Sequence, residues 1–89
     1  MKVLYFALIR EAVGRAEEEA MPPADVATVK QLIDWLKSRG PEFERAFADL
    51  RAVRVAVNQE HVKLEHPLRA GDEVAFFPPV TGGSWGRPR

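Results

Sequence analysis

One strongly amphipathic helical pattern sits in the middle of the chain, with strand-like segments on both sides of it. Thr28 and Gln31 have the spacing of a capping box. Val29, Leu32, Ile33 and Leu36 form an apolar stripe at helical spacing. Lys37 and Arg39 fall in the last turn, where cations suit the helix dipole, and Gly40-Pro41 stops the helix. Trp35 lies off the stripe, where a half-buried core edge is the commoner reading and a ligand platform the alternative. With 89 residues there is room for one domain. A hydrophobic content of 46% supports a core without covalent staples. One such helix covers one face of one sheet, so the constraint is a two-layer α+β fold.

Strand signals flank the helix. Val3 to Ile9 is continuously apolar and rich in β-formers, which predicts a central strand. Val3, Tyr5, Ala7 and Ile9 fall on one face of it, and Leu4, Phe6 and Leu8 on the other. Arg10 to Arg15, with Gly14, reads as a connection. Glu17-Glu18-Glu19-Ala20-Met21 reads as a second strand whose carboxylates suit a solvated edge. Three adjacent acids on a strand alternate between faces, so they argue against a converging metal or catalytic site. Pro22-Pro23 breaks the pattern. After the helix, Phe43, Ala46, Phe47 and Leu50 make a second, shorter helical stripe. Val53, Val55 and Val57 alternate as a strand, Asn58-Gln59-Glu60 turns the chain, and Val62 and Leu64 alternate with Lys63 and Glu65 as a short strand. Val74 to Phe77 is the last strand, closed by Pro78-Pro79, which cannot extend a ladder.

The order β-β-α-(α)-β-β-β predicts a β-grasp: a mixed sheet of four to five strands against one main helix and a short second one. The crossover through the helix returns the chain parallel to a strand of the first hairpin.

Composition narrows the chemistry. Thirteen basic and thirteen acidic side chains cancel, which offers no electrostatic case for nucleic acid or an anionic membrane. The apolar N-terminal run stops at Arg10-Glu11, too short to span a bilayer, so a cytoplasmic protein is expected. With no cysteine there is no disulfide, thiolate metal site or catalytic thiol. His61 and His66, the two histidines, lack metal-pair spacing and read as surface or turn residues. No Ser-His-Asp pattern, P-loop or dinucleotide motif is present. A self-sufficient enzyme is therefore not expected, and neither is a bound cofactor or metal.

What remains is the run Pro78-Pro79-Val80-Thr81-Gly82-Gly83. The prolines stiffen its exit from the domain. Gly82 and Gly83 carry no side chains, so the backbone can thread a narrow channel. Fully extended, residues 78 to 83 reach roughly 20 Å, enough to enter a neighbouring active site. Taken alone, the dipeptide reads equally as a linker before a tail.

The dipeptide has company. Val57-Asn58, His66-Pro67-Leu68, Gly71-Asp72-Glu73-Val74-Ala75-Phe76-Phe77-Pro78-Pro79-Val80 and Gly82-Gly83 together closely resemble the small, sulfur-carrying subunit of molybdopterin synthase. The likeness runs from residue 2 to 83, and its ending is its most specific part. It implies a ubiquitin-like β-grasp. It also implies that an activating enzyme spends ATP to adenylate the terminal glycine, and that a sulfur donor converts the adenylate to a thiocarboxylate. The arm then delivers sulfur in the large synthase subunit to precursor Z (cyclic pyranopterin monophosphate), forming the molybdopterin dithiolene. By position Gly83, with Gly82, would be the working end. Phe76, Phe77, Pro78, Pro79, Val80 and Thr81 would seat the arm on the partner. Lacking cysteine, the chain could carry sulfur only on its own terminal carbonyl.

The sequence departs from that pattern in one respect. Six residues, Ser84 to Arg89, follow Gly83, which therefore has no free carboxylate. The expected organisation is a carrier domain over 1–83 and a tail over 84–89, disordered or removed by a protease. An expression artefact and a loss of sulfur transfer are the other accounts, the last being disfavoured. Two alternative functions stay open: a carrier for thiamine or tRNA thiolation, and a non-catalytic ubiquitin-like binding or modifier protein that keeps its tail.

Overall fold

A computed structural model describes residues 1–79. Five strands and three α-helices follow in the order β1 (Lys2–Tyr5), α1 (Ala7–Val13), β2 (Glu17–Glu19), α2 (Val29–Lys37), α3 (Pro41–Ala46), β3 (Arg54–Val57), β4 (Glu60–Val62) and β5 (Glu73–Phe77), with a 3-10 turn at Leu50–Ala52 before β3. The strands form one sheet in the order β2-β1-β5-β3-β4. β1 and β5 are parallel at its centre, and the other pairings are antiparallel. The parallel return to the first hairpin and the mixed sheet match the arrangement expected for a β-grasp.

The N-terminal expectation needs correcting. The run Val3 to Ile9 is not one strand, because β1 ends at Tyr5 and a helix begins at Ala7. The Phe6 N–H still donates to the Phe76 carbonyl at 3.0 Å, closing the ladder. Ala7 then turns the chain with a positive φ of 54°. Ala, Leu, Arg and Glu in the following residues favour helix, and Ile9 and Val13, four apart, share its buried face. Gly14, in the left-handed conformation, caps this helix by donating to the Arg10 carbonyl. The segment Arg10 to Arg15 is thus mostly helix rather than connection. There are three α-helices where one and a shorter second were expected.

α2 forms as its pattern requires. The Thr28 hydroxyl accepts from the Gln31 N–H, and the Gln31 side chain accepts from the Thr28 N–H. Val29, Leu32, Ile33 and Leu36 are all fully buried. Gly40-Pro41 both ends this region and starts α3, with Pro41 in the first turn. The core lies between the helices and one face of the sheet, where Val3, Tyr5, Val55, Val57, Val74 and Phe76 meet Phe43 and Phe47. The two-residue turn Asn58-Gln59 joins β3 to β4 with positive φ at both residues, the twist a tight hairpin prefers, so Glu60 belongs to the strand and β4 ends at Val62 instead of running on to Glu65.

Candidate functional site

The arm is rooted in the central strand of the sheet. β5 is held on both sides, by β1 and by β3, so its C-terminal end cannot drift independently of the core. Successive residues point to opposite faces. Phe76 points into the core, stacked near-parallel to Tyr5 at 6.4 Å and edge-on to Phe47 at 4.9 Å. Phe77 points to the face away from the helices, in register with Arg54 and with its ring 5.4 Å from that of His61. Pro78 and Pro79 follow, half-buried and exposed. On the same face lie Leu4, Ala75 and Ala56, aligned across the sheet. Phe6 and Leu8, at the same end of the sheet as Pro78, are exposed at 36% and 70%.

Beneath the root is an ion-pair cluster that braces Tyr5. The Tyr5 hydroxyl donates to Glu18 Oε2 at 2.6 Å. Arg39 donates to both Glu18 oxygens at 3.0 and 3.1 Å, and Arg15 adds a contact at 3.2 Å. The Arg39 guanidinium also lies 5.1 Å from the Trp35 ring and 4.9 Å from the Phe43 ring. Burial, and then the bond to Glu18, push the Tyr5 phenol far above its ordinary range, so it stays a protonated donor. Burial alone would raise the Glu18 pKa. The bonds from Arg39 and Tyr5 outweigh that and hold the carboxyl below its ordinary range. Of the three acids on β2, Glu18 thus faces inward, while Glu17 and Glu19 stay on the exposed edge as expected. At the opposite end of the sheet, Asp72 closes a loop by accepting from the Arg69 N–H and the Asn58 side chain, which also lower its pKa.

No group of three or more potential metal ligands occurs among the described residues. A shallow apolar groove of about 390 Å³, lined by Met1, Met21, Pro22 and Leu68 among others, lies at the end of the sheet away from Pro78. What the arrangement can do is hold the chain firmly at Phe77, where it leaves the sheet for Pro78 and Pro79.

The model of the ThiS family matches residues 3–83. The chain belongs to the ThiS family. Over 83 residues it is 46% identical to the molybdopterin synthase sulfur carrier subunit of Escherichia coli (strain K12), covering 93% of this chain and 99% of that protein. The subunit of the same name from Mycobacterium tuberculosis is 37% identical, with 93% and 96% covered. Among solved structures, SAMP1 from Haloferax volcanii, a small archaeal modifier protein, superposes with a TM-score of 0.74 at 35% identity, covering 93% of this chain and 98% of that one. The fold is therefore the ubiquitin-like β-grasp of the ThiS family.

The ThiS-family match closes on Gly83, the second glycine of the arm. Of the residues singled out from the sequence, Phe76, Phe77, Pro78 and Pro79 are described, while Val80, Thr81, Gly82, Gly83 and the tail 84–89 lie outside the described residues. Phe76 and Phe77 point to opposite faces of the sheet, and both are buried, at 0% and 2% exposure. The contact of Phe76 is with Tyr5 and Phe47, so it holds the strand from below. His61 is exposed on β4 and His66 sits half-buried in a turn, both as read from the sequence. Sequence reading missed Tyr5, Glu18 and Arg39 as one unit, because the partners are 13 and 21 residues apart. The alternation on β2 was the available signal: Glu18 had to face opposite to Glu17 and Glu19.

Proposed function

We propose that this chain is the sulfur-carrier subunit of molybdopterin synthase, working through Gly83. The observation that carries the reading is the 46% identity to the Escherichia coli carrier subunit across nearly the whole of both chains. The rooted base of the arm supports it.

In this reading a free Gly83 carboxylate attacks the α-phosphorus of ATP on an activating enzyme. Acyl-adenylate forms and pyrophosphate leaves. A sulfur donor then displaces AMP, giving the thiocarboxylate. A carboxylate is a poor electrophile, and adenylation supplies the leaving group that it lacks. The arm carries the thiocarboxylate into the large synthase subunit, where its sulfur adds to precursor Z. Tethering makes delivery effectively unimolecular. The carrier supplies reach and positioning, and its chemistry requires no acid, base or metal of its own. Pro78, Pro79, Val80 and Thr81 seat the arm on the partner, with Phe76 and Phe77, both buried, holding its root.

In the sequence Gly83 is bonded to Ser84, so activation in this reading requires a form of the chain that ends at Gly83. The experiment is reconstitution. The chain ending at Gly83, once converted to its thiocarboxylate and mixed with the large subunit and precursor Z, forms molybdopterin. Failure to form product with an active large subunit overturns the reading. The likeness to the archaeal modifier protein favours a second reading, in which the activated glycine is captured by a lysine amine of a target protein. Isopeptide-linked adducts in native cells, with no association with the large subunit, would put that reading first.

A further inference from the structure

We propose that Arg54 is a preset docking cation at the root of the arm, which recognises a carboxylate on the large synthase subunit and fixes how that subunit sits on the sheet. This rests on the carrier reading above and adds a residue and a partner chemistry to it.

Arg54 is the first residue of β3 and lies opposite Phe77, the last residue of β5 before the exit prolines. Its side chain is exposed, yet it is not loose. Nη1 donates to the backbone carbonyl of Arg51 at 3.1 Å and to that of Val53 at 3.2 Å. Holding one nitrogen this way fixes the guanidinium plane and leaves its other N–H groups for a second acceptor. Arg54 meets no carboxylate at ion-pair distance among the described residues. The nearby acid Asp49 is taken by Arg51 at 3.1 Å. Glu65 lines the same shallow groove as Arg54 and Lys63 but pairs with neither. A guanidinium already ordered and not yet neutralised loses little entropy when it binds a carboxylate, and the fork geometry makes that contact directional.

The rest of the face gives the contact a direction. Across the face away from the helices run Leu4, Ala75, Ala56 and Phe77, of which Leu4 and Ala75 are half-buried and Ala56 and Phe77 buried. On the β2 side it is edged by Glu17 and Glu19, which pair with Lys2 and the N-terminal ammonium. On the β3–β4 side it is edged by Arg54 and His61. A partner laid along this face therefore meets carboxylates already paired at the β2 edge and, at the other, a held cation with no carboxylate partner among the described residues. Complementary charges favour one orientation and disfavour its reverse. A large subunit presenting an Asp or Glu beside the entrance of its arm channel fits this layout, and a basic rim there does not.

The test measures binding of the large synthase subunit to the chain ending at Gly83, which keeps every described element. Wild type is compared with Arg54→Lys and Arg54→Glu at low and high ionic strength, with thermal midpoints checking the fold. Arg54→Glu is expected to weaken binding by roughly tenfold or more at low salt, with the gap narrowing at high salt. Arg54→Lys falls between, because charge survives without the fork. Unchanged or tighter binding by Arg54→Glu, with the fold intact, overturns the role of Arg54 and leaves the carrier reading standing. If the wild-type chain does not bind the large subunit, the carrier reading and the docking role fall together.

Discussion

Glu18 shows what a single side chain does here. It accepts from Tyr5 and Arg39 while itself nearly covered, so it joins β1, β2 and the segment after α2. Replacing it with Ala leaves the Tyr5 hydroxyl and Arg39 without their acceptor. This is expected to destabilise the fold by about 1–3 kcal/mol, measured by denaturant unfolding. Its pKa is depressed in the folded state, so the stabilisation is present above the ordinary glutamate range and is lost as pH falls through the folded value. Glu18→Gln should therefore flatten the acid side of the stability profile while changing the neutral side less. A mutant profile parallel to wild type at low pH would remove Glu18 from that account. The sequence marked the β2 acids as an exposed edge, which holds for Glu17 and Glu19. It gave no means of pairing Glu18 with Tyr5 and Arg39, because side chains so far apart meet only through the fold.

Elements with strong local signals were legible, and those decided by tertiary contact were not. α2 carried its own cap and stripe, and β5 its terminating prolines, so both fell where the pattern placed them. α1 was hidden in an apolar run that reads as strand. Only the end of the β1 ladder at Phe6 and the turn at Ala7 make it a helix, and the pair Ile9 and Val13 with Gly14 was its faint signature. The β3–β4 turn offers an element-scale prediction. Gln59 holds a φ of 73°, which costs a residue with a side chain but not glycine. Gln59→Gly should raise stability by roughly 0.5–1 kcal/mol, read from the thermal midpoint, and a loss would argue against this turn type. At β5, Phe76→Ala empties a fully buried site against Tyr5 and Phe47 and should cost about 3–5 kcal/mol. A chemical-denaturation midpoint close to wild type would show that Phe76 does not brace the strand.

At the scale of the whole molecule, the described domain is a mount for the segment proposed to do the work. The β-grasp was readable from element order, because one amphipathic helix between two groups of strands admits few arrangements. The parallel β1–β5 pair then places the root of the arm at the sheet centre. In the proposed carrier role, the described core supplies stability and Gly83 supplies the transferred group. Gly83→Ala is accordingly expected to abolish or sharply reduce sulfur transfer with an unchanged thermal midpoint. The most direct measurement is the intact mass of two forms of the protein, the chain ending at Gly83 and the full 89-residue chain, after incubation with activating enzyme, ATP and sulfur donor. The account predicts that the form ending at Gly83 gains the mass difference of sulfur for oxygen and that the full chain does not. An inert Gly83 form beside an activating enzyme that charges its own carrier, or a full chain charged equally well, would contradict it.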